Sequence, residues 1–114
     1  MNSAPPPLPL LPAQRTLRLG SYQIGLCEWA CRTPELWPVR PEDMDFHCSM
    51  AYMMGLRFRR AWKGSQAAAR MRVWPHEARC VSLYLQAVPG PEDPWQAQQL
   101  RDLREQLRQA SGAT

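Results

Sequence analysis

Apolar and polar residues along this chain alternate with helical period in several stretches, divided by proline-rich breaks. The best-marked stretch is 41–63. Pro41 suits a first helical position, and Gly64 suits the position past the end. Glu42, Asp43 and Asp45 open the segment, and Arg57, Arg59, Arg60 and Lys63 close it, the order that the helix dipole favours. Between Cys48 and Leu56 the segment is apolar around most of its circumference, so burial on more than one side is expected. Two stripes run along it. Met44, Cys48, Ala51, Gly55, Phe58 and Trp62 form one, which reads as a domain core. Ala51 and Gly55 in it make a small-x-x-x-small pair that invites close approach of another helix. Phe46, Met50 and Met53, leading to Arg57 and Arg60, form the other. Adaptable methionines with arginine at one end have the composition of an interface, although both stripes would equally serve as core of a helix bundle.

The remaining elements are predicted around this spine. Residues 21–31 form a helix through Tyr22, Leu26, Trp29 and Ala30, with Ser21 as cap, although Tyr22, Ile24 and Leu26 also alternate like a strand. Pro34 and Pro38 make 33–40 a connector. Ser65 caps a short alanine-rich helix over 66–73. Pro75 breaks the chain there, and a further helix is expected over about 76–88, with a strand as rival because Val81, Leu83 and Leu85 alternate with polar neighbours. Asp93 and Pro94 open the last helix, 94–110. Its Leu100, Leu103, Leu107 and Ala110 form a narrow seam suited to one neighbour, either the long helix or a second copy. The fold class expected is all-α: a small three- to four-helix domain over 16–114, built around the long central helix. The prolines interleaved with leucine over 1–15 favour polyproline II, so a disordered arm is expected there, and its P-x-x-P spacing followed by Arg15 is what a proline-groove ligand would offer.

Composition changes this picture in one place. The 114 residues carry a formal net charge of +4, but the basic residues concentrate in 57–79, where only Glu77 opposes them. Such a face suits nucleic acid or an acidic surface. Arg59, Lys63, Arg70 and Arg72, with Trp62 and Trp74 interleaved, are the candidate nucleic-acid contacts.

Candidate chemistry is sparse. Cys27, Cys31, His47 and Cys48 do not match a zinc-finger spacing, and the cysteines lie on apolar stripes where they pack as small hydrophobes. His47 and Cys48 point in different directions on a helix, and no phosphate loop or nucleophile elbow is present. No enzymatic activity, cofactor or metal is expected. Neither a secretory signal nor an apolar run long enough for a membrane span is visible, which points to a cytoplasmic protein with free thiols.

The stretch from Phe46 through Met50, Ala51, Gly55 and Arg57 to Trp62 resembles the core helix of two groups of small bacterial regulators. One is the family of pseudomonad quorum-sensing anti-activators, which bind a LuxR-type transcription factor and block its dimerisation. The other is the ribosome modulation factors. The likeness spans 46–62 and has no diagnostic motif. The proline arm and the helix after Asp93 have no counterpart in the ribosomal factors. The first resemblance implies a regulator that binds a larger protein. Neither family's functional residues carry over, and it is the methionine stripe with its arginine end that makes Met50, Met53, Met54, Arg57 and Arg60 the candidate partner contacts. An exposed apolar stripe of that kind also predicts a homo-oligomer.

Overall fold

The computed structural model describes residues 13–64 and 67–112. Among them are β1 (Arg15–Leu19), α1 (Ser21–Cys31), short 3-10 turns at Pro34–Leu36 and Pro41–Asp43, α2 (Met44–Ala61), β2 (Ala69–Val73), α3 (Pro75–Leu85) and α4 (Pro94–Ala110). The protein is therefore predominantly helical but not all-α. Residues 1–12 of the expected proline-rich arm, and the expected cap Ser65, lie outside the described residues.

The two strands are the main departure from the expected elements. β1 and β2 pair antiparallel with Leu17 opposite Met71 and Arg18 opposite Arg70. In β2 every second residue is buried, as are Leu17 and Leu19 in β1. That is the period of a half-buried strand. The short helix expected over 66–73 is thus corrected to a strand over its second half. Arg70-Met71-Arg72-Val73 has a period of two, and a partner strand far away in sequence makes that period decisive over alanine's local helix preference. Arg15, assigned to the arm, opens β1.

Side chains close both edges of this small sheet. The Arg18 amide donates to Gln106 Oε1 at 2.8 Å, and Gln106 Nε2 donates to the Arg18 carbonyl at 2.8 Å, so α4 supplies a side-chain substitute for a third strand. On the β2 edge, Arg57 of α2 donates to the Arg72 carbonyl and, at 2.7 Å, to Glu77 Oε2. Glu77 Oε1 accepts the Trp74 amide at 2.9 Å, which caps the start of α3. Glu77 is 5% exposed, and this node ties α2, β2 and α3 together.

The helices follow their local signals more closely. Gly20, not Ser21, is the N-cap of α1, and its amide donates to Gln23 Oε1 at 3.0 Å. The Asp93 carboxylate accepts the Gln96 amide at 2.9 Å, as the cap of α4 should. The expected 41–63 helix is a 3-10 turn at Pro41–Asp43 that runs into α2, which ends at Ala61. Gly64 has φ +88°, a left-handed turn suited to glycine, on the way to β2. Region 80–85 is helical. The seam of α4 is fully buried, but it packs chiefly on α3 and also on β1 and α1, within the chain and not along the long helix, which was one of the two neighbours expected for it. α1 and α3 each touch the other three helices.

At the centre, Tyr84 of α3 is buried and stacks on Trp37 with ring centroids 4.3 Å apart. Trp37 Nε1 donates to the Ala30 carbonyl at 2.7 Å, and the Tyr84 hydroxyl lies 2.8 Å from His47 Nδ1. These contacts bind the 33–40 connector, α1, α2 and α3 into one unit.

Removing Glu77 leaves a half-buried guanidinium without its carboxylate and the Trp74 amide without its acceptor. Glu77→Ala is expected to cost about 2–3 kcal/mol of stability, less than a fully buried pair because Arg57 is partly solvated. Urea denaturation of the single variants and of the Glu77→Ala, Arg57→Ala pair checks this. The double variant should lose less than the sum of the singles.

Candidate partner-binding surface on the long helix

α2 is apolar on nearly every side, yet it is buried on only one. Met50, Ala51, Met54 and Phe58 face the core. At 100° per residue this direction falls between the two stripes expected from the sequence, taking Ala51 and Phe58 from one and Met50 from the other. The orientation follows from two anchors: His47 meets Tyr84, and Arg57 meets Glu77. Cys48, expected in the core, is exposed, while Met44 and Trp62 are half-buried.

The five residues expected to contact a partner are therefore divided. Met50 and Met54 are core residues, 8% and 0% exposed, and do not belong to the surface. Arg57 is held by Glu77 and the Arg72 carbonyl. Met53 and Arg60 remain outside, Met53 at 42% exposure. The outward half of α2 presents Phe46, Tyr52 and Met53, with Tyr52 the most exposed of these at 72%. Leu56 lies between them, half-buried, and Arg59 and Arg60 end the face. Sequence reasoning passed over Tyr52. Its signal was available: it stands opposite Met50 and Met54 on the helix, on the side left over once those two are assigned to the core.

One flank of this face is concave. Cys31, Arg32, Pro34 and Trp37 on one side, and Cys48, Ala51, Tyr52, Gly55, Leu56 and Arg59 of α2 on the other, line a groove of about 450 Å³. Gly55 stands in its wall. A Cβ there would meet only Cys31 Cβ, at 3.6 Å, an ordinary contact. The close helix approach expected at Gly55 is thus not what requires glycine there. The groove contains arginine at Arg32 and Arg59 but no carboxylate. Arg32 has a long 3.6 Å pairing with Glu28 on the exposed side of α1.

The thiols show the same division between core and surface. Cys27 and Cys31 are buried, Cys48 is exposed and Cys80 is half-buried, all without disulfides. Burial pushes the Cys31 thiol up to about 12, with the Glu28 charge adding to the effect, and pushes Cys27 well above its ordinary value. Both are neutral at physiological pH and serve as packing groups. Among the described residues no three His, Cys, Asp or Glu side chains are grouped to hold a metal ion, and no helix is long and apolar enough to cross a membrane. The candidate nucleic-acid residues Arg59, Lys63, Arg70 and Arg72 are all exposed, but Arg70 and Arg72 lie on the sheet rather than on a helix.

No protein-family model matches the chain, and no curated protein or solved structure is similar to it.

Two outcomes follow from this geometry. A folded-state thiol pKa above the unfolded one means that the native state holds the proton longer, so stability present below about pH 9 is lost as pH rises toward 12. Cys31→Ala should reduce the slope of unfolding free energy against pH in that window by about 1.4 kcal/mol per pH unit, measured by urea denaturation. Gly55→Ala removes the helix-interior cost of glycine without a clash, and should raise stability by about 0.5–1 kcal/mol in the same assay.

Proposed function

We propose that this protein is a small non-enzymatic regulator that binds a larger protein and inhibits it by occupancy. The carrying observation is the outward face of α2, where Phe46, Tyr52 and Met53 stand exposed and Tyr52 also lines the groove. Aromatic and methionine side chains with arginine at the margin are the composition of interface centres. A partner segment that matches this face has an apolar anchor for the groove and carboxylates for Arg32 and Arg59. Gly55 keeps that groove open at a cost in helix stability, which a binding role explains and a purely structural one does not. The resemblance of 46–62 to the anti-activators supports a LuxR-type transcription factor as the partner class and its dimerisation surface as the segment covered.

Titration calorimetry against a purified LuxR-type activator tests this reading. Tyr52→Asp and Met53→Asp should each weaken binding by at least about tenfold with little change in fold stability, since both side chains are exposed. Gly55→Ala should also bind more weakly despite its greater stability. The partner should protect Cys48, in the groove wall, from alkylation by iodoacetamide. Wild-type affinity in both aspartate variants, with Cys48 reacting at an unchanged rate, sinks the proposal. If the apolar face instead joins two copies of this chain, sedimentation shows a dimer that Tyr52→Asp dissociates, and partner inhibition is refuted.

A further inference from the structure

The outer face of the two-stranded sheet is a second surface, independent of α2. Its inner face is all apolar, with Leu17, Leu19, Ala69, Met71 and Val73 buried. Its outer face carries Thr16, Arg18, Arg70 and Arg72, all exposed. Arg18 stands directly opposite Arg70. The amide and carbonyl of Arg18 both bond Gln106, away from β2, so Arg18 and Arg70 form a pair without mutual backbone bonds. In antiparallel sheets such pairs bring the side chains closest together. Like charges directly opposite are unfavourable. No carboxylate shares this face, and among the described residues none pairs with Arg18, Arg70 or Arg72. Glu77, the acid nearest in sequence to β2, is already bound to Arg57.

The row continues into an aromatic side chain. Trp74 has an extended backbone, φ −79° and ψ 155°, so the alternation of β2 carries it to the same side as Arg70 and Arg72. It is 40% exposed and has no ring partner among the described residues. Beside Thr16, a polar groove of about 370 Å³ lined by Arg15, Gln106 and Gln109 extends the surface past the β1 edge. Arginine at every second residue advances about 6.8 Å per step, which suits successive phosphates of an extended chain. An indole in line with them suits an unpaired base. A duplex would hide the base faces that Trp74 is placed to stack on.

We infer that the outer face of the β1–β2 sheet binds single-stranded nucleic acid, with Arg18, Arg70 and Arg72 on the phosphates and Trp74 stacked on a base. The cross-strand repulsion between Arg18 and Arg70 is relieved when a phosphate lies between them. That gives the arrangement a use that a solvated sheet face does not have.

Fluorescence anisotropy with the full chain and a labelled single-stranded RNA of about 16 nucleotides tests this. The wild type should bind with a log–log salt slope of about −2 to −3, so affinity falls about 15- to 60-fold between about 50 and 200 mM salt. Arg18→Glu and Arg70→Glu should each weaken binding at least about tenfold. Both should leave thermal stability unchanged or higher, because each replaces a repulsive pair with an attractive one. The same charge change at Arg101, on the exposed side of α4, should leave affinity nearly unchanged. Trp74→Ala should lose on the order of tenfold, and Trp74→Phe should recover most of it. The proposal is overturned if the wild type shows no saturable binding at low salt, or if Arg18→Glu binds like the wild type. Equal or tighter binding to a duplex of the same length, to polyglutamate or to anionic phospholipid vesicles also overturns it.

Discussion

The pairing of β1 with β2 is the constraint on which the rest of the molecule depends. Two strands alone make a marginal sheet, and here α1 and α2 intervene between them in the chain. The pair holds because its inner face is wholly apolar and buried, and because the outward backbone groups of Arg18 and the Arg72 carbonyl find side-chain partners. Gln106 reaches β1 from α4, and Arg57 reaches β2 from α2. Those two side chains fasten the sheet to α4 and to α2. The register that buries Leu17 and Met71 also forces Arg18 beside Arg70, since side chains on a strand alternate with a strict period of two. Core formation and the basic face are two consequences of one register.

The groove beside α2 has a similar origin in the core. Trp37 comes from a connector with almost no regular structure, yet it is fixed by the Ala30 carbonyl and by stacking on Tyr84. Tyr84 in turn reaches His47. The buried polar atoms of this chain of contacts are paired, and among the described residues no buried side-chain nitrogen or oxygen lacks a partner. Satisfied in this way, the network fixes Trp37, which lines the groove together with Pro34, Ala51 and Gly55. A rigid floor of this kind favours recognition, because less ordering is needed on binding.

The charge distribution supports separate roles for the two surfaces. α2 ends in arginine, but Arg57 turns inward to Glu77 and leaves only Arg59 and Arg60 at the margin of the apolar face. The sheet has arginine at the centre of its outer side, with a single aromatic side chain, Trp74, at its end. A partner that suits one face would be poorly matched to the other. The regulator proposed for α2 and the nucleic-acid contact inferred for the sheet therefore stand or fall separately.

Much of this protein is legible without tertiary information. Pro94, Asp93 and the leucine seam of 94–110 define α4, and the acids, arginines and Gly64 bracket the long helix, because capping and dipole interactions act within a turn or two of the chain. The apolar excess of α2 was also visible in composition. What local sequence did not decide was direction. Met50 and Met54 differ from Met53 only by rotation about the helix axis, and the anchors that set that rotation, Tyr84 and Glu77, come from α3, 37 and 20 residues along the chain from the side chains they hold. Likewise Arg70-Met71-Arg72-Val73 becomes a strand because Arg15–Leu19 lies alongside it, a pairing no window of neighbouring residues contains. Sequence alone determined the long helix, the last helix and that basic residues gather in 57–79. The tertiary structure alone decided which side of α2 meets solvent and which arginines stand together, because long-range packing and strand register, not local propensity, set both.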